Sequence, residues 1–188
     1  MRLAAFISFV TEPMVLVTAL VMSGAWQKGL RGIPFVSFIV YVGLFFLVTF
    51  GLRMFAVRKL KTNWDISDRA KRVKSLIPFV GICAVFFSCI FFWRNGGLIQ
   101  FGAMLILWMA GFVLITLRTK ISGHMAILTL VLGYLTSWYG YVFIPAFGIL
   151  PFVAWSRLVL KRHTMTEVIG GIMYSFIFLI FIRSVGWM

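Results

Sequence analysis

The sequence predicts an all-α integral membrane protein, a bundle of six to seven transmembrane helices whose polar loops share one membrane face. Three observations predict it. Of 188 residues, 62% are apolar and 18% aromatic, well above what an ordinary soluble domain carries. Long runs lack any charge, and the polar loops between them recur at intervals that a bilayer dictates. No repeat, linker or low-complexity tract marks a boundary, so residues 1–188 read as a single transmembrane domain.

A hydrocarbon core about 30 Å thick takes roughly 20 apolar residues per helix, and only helices satisfy their own backbone there. That ruler cuts the chain by hydropathy into seven segments: 3–23, 32–57, 76–93, 97–117, 123–138, 141–155 and 166–185. The first contains Glu12 and Pro13 and ends in no small-residue cleavage signature, so it reads as a helix of the mature chain. If it is re-entrant or interfacial, six spans remain. The third carries Cys83 and Cys89, six positions apart in apolar surroundings, which suits buried thiols rather than a metal or a disulfide framework. The fifth and sixth are short and joined only by Tyr139 and Gly140, which predicts a tight helical hairpin. Trp93, Trp108, Trp138, Trp155 and Trp187 read mostly as lipid-facing or interfacial belt.

Two crossings separate the polar loop at 58–75 from the one at 118–123, and two more separate that from 156–163. All three loops therefore open on one face. They or their edges hold both histidines, His124 and His163, and three of the four acids, Asp65, Asp68 and Glu167. Ionisable groups are costly in lipid and normally face a bundle interior or a watery cavity, so this convergence is the main functional clue. For Glu12, in the first segment, a cavity, helix packing and a membrane-edge position are equally open readings.

The stretch 156–167 reads SRLVLKRHTMTE. His163 and Glu167 are four apart, which predicts one face of a helix that starts here and continues into the last span. A carboxylate so placed accepts from one imidazole nitrogen, fixes the tautomer and leaves the other nitrogen to attack as a nucleophile. Arg157, six residues earlier, offers a planar fork for phosphate oxygens, and Ser156 adds a hydroxyl. The loop RTKISGH, 118–124, supplies complementary parts. Lys120 brings a point charge and Ser122 a hydroxyl. Gly123 allows close backbone approach at a helix amino end, a natural anion site. His124 is the second titrating group, suited to donate a proton to a leaving alkoxide as general acid.

These stretches resemble the type 2 phosphatidic acid phosphatase superfamily, which also includes the vanadium haloperoxidases. Its signature has a lysine- and arginine-containing segment ending in Arg-Pro, then Pro-Ser-Gly-His, then Ser-Arg, five residues, His, three residues and Asp. Ser122-Gly123-His124 matches all but the proline, which is Ile121, and Ser156-Arg157, His163 and Glu167 match at the right spacing with glutamate for aspartate. The first part departs more: residues 65–78 read DISDRAKRVKSLIP, with Pro78 expected to open the third helix. This looks like the variant of small bacterial members, in which an Asp- and Arg-rich stretch takes this place; Arg69 and Arg72, three apart on one helical face, are the preferred phosphate ligands ahead of Lys71 and Lys74.

The resemblance implies a membrane lipid phosphatase with the superfamily's helical core. His163 attacks phosphorus to give a phosphohistidine, His124 protonates the departing lipid oxygen, and water hydrolyses the phosphoenzyme. No metal or other cofactor is implied, and a metal phosphatase would call for more carboxylates than Asp65, Asp68 and Glu167. The implied substrate is a membrane lipid phosphate of the phosphatidic acid, phosphatidylglycerophosphate or undecaprenyl diphosphate class. The alternative is a non-catalytic lipid-binding or transport protein that keeps the pocket, an option carried by Ile121 and Glu167. Arg58, Lys59, Lys61, Lys161 and Arg162 read as juxtamembrane anchors for anionic lipid head groups, and no nucleic-acid partner is expected.

If the N-terminus shares the polar-loop face, only Lys28, Arg31, Arg94 and Arg183 of the 18 basic residues lie on the other side. The positive-inside rule then places the polar face in the cytoplasm, which implies a bacterial cytoplasmic membrane protein with an inward-facing site. Many members of the superfamily work on the outer face, so rule and resemblance point in opposite directions on this choice.

Overall fold

A computed structural model describes residues 1–61 and 69–187, apart from the side chains of residues 69, 70, 72, 73 and 77. Every regular element among the described residues is helical. In chain order these are α1 (Arg2–Val10), α2 (Pro13–Gln27), α3 (Gly32–Lys59), α4 (Arg69–Ser88), α5 (Gly96–Arg118), α6 (Gly123–Tyr139), α7 (Ile149–Val159) and α8 (Met165–Ser184). Tight 3-10 turns at Cys89–Trp93 and Tyr141–Gly148 extend α4 and precede α7.

Among the described residues six helical stretches are long and apolar enough to cross a bilayer: Arg2–Gln27, Gly32–Lys59, Lys74–Trp93, Gly96–Arg118, Tyr141–Val159 and Met165–Ser184. This is the make-up of an integral membrane protein. The hydropathic segment missing from this set is the fifth, 123–138, which is α6, whose 17 residues give a helix of only about 25 Å at 1.5 Å per residue. Gly140, at φ 79, stops it there.

Two further expectations change. The first segment is interrupted, because Pro13 has no N–H to donate and disfavours helical geometry at Glu12 before it. Its halves meet at Thr11 and Glu12, where Thr11 closes α1 by donating its hydroxyl to the Ile7 carbonyl at 2.8 Å. Pro78 does not open a helix but lies inside α4, which begins nine residues earlier at Arg69.

The chain forms two compact units, one of Met1–Val17 with Thr119–Met188 and one of Thr18–Arg118. In the first, α6 is the central element and is buried almost continuously from His124 to Leu132. Its Met125, Leu128 and Leu132 form a core with Val153 of α7 and Val168 of α8, against which Ile7 and Leu16 pack. Helix α8 runs parallel to α6 at very close range. A Cβ on Gly171 would meet the Ser122 carbonyl oxygen at 2.5 Å, and one on Gly133 would meet Leu179 at 2.2 Å. The Ser175 hydroxyl donates to the Ala126 carbonyl at 2.6 Å. Small residues and an interhelical hydrogen bond are how membrane helices associate when lipid is as apolar as leucine.

The second unit is packed by aromatic rings. Tyr41 stacks on Phe86 with centroids 3.8 Å apart, and Phe38 meets the edge of Trp93 at 5.2 Å. Trp108, expected in the lipid-facing belt, is buried in this unit beside Phe112.

Candidate active site

The first unit gathers its polar side chains where α6 begins, α7 ends and α8 begins. The turn between α7 and α8 explains how a chain reversal puts a histidine there. Lys161 adopts a left-handed conformation at φ 53. The Lys161 N–H donates to the Leu158 carbonyl at 2.9 Å and the Arg162 N–H to the Arg157 carbonyl at 3.0 Å. This paired closure satisfies the last carbonyls of α7 in a Schellman arrangement. His163 follows, then Thr164 caps α8.

His163 and Glu167 meet as expected but for a different reason. His163 is not on the helix; it precedes the cap, and a capping box brings the carboxylate back to it. The Thr164 hydroxyl accepts from the Glu167 N–H at 3.3 Å, and Glu167 Oε2 accepts from the Thr164 N–H at 3.3 Å. The same oxygen lies 2.7 Å from His163 Nδ1 and 3.2 Å from Lys120 Nζ. With Nδ1–H donating to the carboxylate, the lone pair of the neutral ring resides on Nε2. The His163 ring is almost fully buried, with side-chain exposure of 2%.

The 118–124 loop is fastened to this point through backbone. The Ser122 N–H donates to the Glu167 carbonyl at 2.8 Å, and Lys120 Nζ also donates to the Arg162 carbonyl at 3.1 Å. Ser122 is the N-cap residue of α6 with no side-chain cap, followed by Gly123 and His124 in the first turn. Ile121, where the resemblance calls for proline, is buried and packs at the position of Gly170, where an added Cβ would come within 2.9 Å of its methyl.

Ser156 and Arg157 occupy the last turn of α7 and are both fully buried. A cation at a helix C-terminus is favoured by the carbonyl dipoles there. Arg157 Nη1 donates to Ser8 Oγ of α1 at 2.5 Å. The Ser122 and Ser156 hydroxyls are buried without a hydrogen-bond partner among the described residues. A guanidinium, two open hydroxyls and the first amides of α6 are the donor set that a phosphate's oxygens require. Among the described residues, no group of three or more His, Cys, Asp or Glu side chains gathers to hold a metal ion.

The structure thus brings together Lys120, Ser122, Gly123, His124, Ser156, Arg157, His163 and Glu167 at one end of one unit. Arg69 and Arg72 begin α4 in the other unit, and their side chains lie outside the described residues, as do Asp65 and Asp68 entirely. Two residues that the motifs did not pick out belong to the site. Ser8 reaches Arg157, and Glu12 Oε2 lies 3.6 Å from His124 Nε2, with both side chains largely buried. The signal in the sequence for Glu12 was its position, an acid before proline within an apolar run. Ser8 gave none. No protein-family model, curated protein or solved structure matches the chain.

Proposed function

We propose that the protein is a membrane lipid phosphatase that hydrolyses a phosphomonoester or diphosphate head group through a phosphohistidine, as its motifs' resemblance to the type 2 phosphatidic acid phosphatase superfamily implies. The observation that carries this reading is the His163 Nδ1–Glu167 Oε2 contact of 2.7 Å, beside a fully buried Arg157. In the first step His163 Nε2 forms a bond to phosphorus as the bond to the lipid oxygen breaks. The leaving oxygen takes the electron pair and a proton from His124, and Glu167 stabilises the imidazolium character that develops on His163. In the second step water attacks phosphorus, the P–N bond breaks, its proton passes to His124, and phosphate leaves. Arg157, Lys120, the Ser122 and Ser156 hydroxyls and the α6 amides hold the equatorial oxygens, where charge accumulates in the transition state. On this reading the site faces the cytoplasm with the excess of basic residues.

Phosphate release by the detergent-purified chain from phosphatidic acid, phosphatidylglycerophosphate and undecaprenyl diphosphate tests this, beside His163→Ala. The expected result is release from at least one substrate and a loss of roughly 10³-fold or more in the variant. Unchanged turnover in the variant would remove His163 as nucleophile. No release from any of the three, together with retained lipid-phosphate binding, would identify a binding or transport protein.

A further inference from the structure

The chain has two histidines and four acids. The two acids among the described residues, Glu12 and Glu167, each stand beside one of the histidines. Glu167 serves His163, as the motif spacing foretold. Glu12 comes from the interrupted first segment, outside every motif, and faces His124 Nε2 at 3.6 Å. His124 is 4% exposed and Glu12 9%. Burying a carboxylate in a membrane domain is costly unless a compensating charge or hydrogen bond meets it. The break at Thr11 and Glu12, enforced by Pro13, is what sets this acid at the end of α1, the helix that packs on α7 and gives Ser8 to Arg157.

We infer that Glu12 is a positioning residue for His124, holding the imidazole by its Nε2 edge and supplying the counter-charge of the proton-loaded ring that serves the leaving group. The inference rests on the phosphatase reading above and deepens it. It makes the first segment part of the active site, with two glutamate–histidine pairs, one orienting the nucleophile and the other the general acid. During the first step the proton moves from the imidazolium to the alkoxide oxygen as the P–O bond breaks, and Glu12 remains ionised throughout.

A general acid matters in proportion to how poorly the leaving group departs, which separates this role from a packing role. The test measures kcat/KM, which covers the steps up to departure of the first product, for dodecyl phosphate and 4-nitrophenyl phosphate. It uses the full chain in detergent, with Glu12→Gln, Glu12→Asp, His124→Ala, the Glu12→Gln/His124→Ala double variant and His163→Ala. Glu12→Gln is expected to lose about 10- to 100-fold on the alkyl ester and less than about threefold on the nitrophenyl ester. His124→Ala should show the same pattern more strongly. The double variant should be no worse than His124→Ala alone, and Glu12→Asp should recover part of the alkyl activity.

Equal losses on both esters in Glu12→Gln and Glu12→Asp, additive losses in the double variant, or full activity in Glu12→Gln would each overturn the inference while leaving the phosphatase reading intact. If the wild type releases no phosphate, or His163→Ala is unaffected, the phosphatase reading falls and the inference falls with it.

Discussion

In the unit Thr18–Arg118, buried Thr49 and Thr116 turn their hydroxyls back on their own helices, to the Phe45 and Phe112 carbonyls at 2.8 and 2.7 Å. In the unit of Met1–Val17 and Thr119–Met188, Thr11 and Thr136 do the same, but other buried polar groups reach across the chain. Ser175 bonds to Ala126, Arg157 to Ser8, and Glu12 approaches His124. The first pattern is local and serves helices that pack through aromatic rings and lipid-facing apolar surface. The second links separate helices, and two of its three links, Arg157 to Ser8 and Glu12 to His124, hold residues of the candidate site.

The contrast can be broken most severely at Glu167. Glu167→Gln keeps an oxygen for the Thr164 cap but loses the charge that serves His163 and Lys120. Phosphate release should fall roughly 10²–10⁴-fold, while the melting temperature in detergent moves little. Full activity in that variant would mean another group orients the ring. A smaller effect is expected where packing, not charge, holds the site together. Gly171→Ala places a methyl against the Ser122 carbonyl, a backbone atom that cannot rotate away. It should destabilise the fold by about 1–3 kcal/mol, read as a lower melting temperature, with activity falling in parallel. The smallest effect should come from the other unit. Thr49→Val removes hydroxyl contacts to Phe45 and Phe46, whose carbonyls belong to the same helix. Stability should change by less than about 1 kcal/mol in thermal denaturation, and phosphate release should be unchanged; a large loss of activity would erase the distinction between the two units.

Legibility from sequence differed sharply between parts of the site. The His163–Glu167 contact was readable because it is local, although a capping box makes it rather than a shared helix face. Proximity of Lys120 to Glu167 was implicit in the crossing count that put both loops on one face. The inward face of α8 was harder to see. Its buried Val168, Phe178 and Ile182 and its exposed Ile169, Phe176 and Ile180 are equally apolar, so hydropathy carries no periodic signal in lipid. What distinguishes the inner face is Gly171 and Ser175, one small and one polar.

The sequence by itself determined the membrane class, the placing of most helices and the pairing of one glutamate with one histidine. Each depends on hydropathy over a span or on neighbours within a turn, where backbone sterics and short-range hydrogen bonds dominate. Only the tertiary structure decided that α6 is a short buried centre, that α8 runs against it at glycine distance, and that Glu12 and Ser8 belong with His124 and Arg157. Those contacts join segments far apart in the chain. They are set by how helices of nearly uniform apolarity pack on one another, through small residues and a few buried polar links that no single stretch of sequence contains.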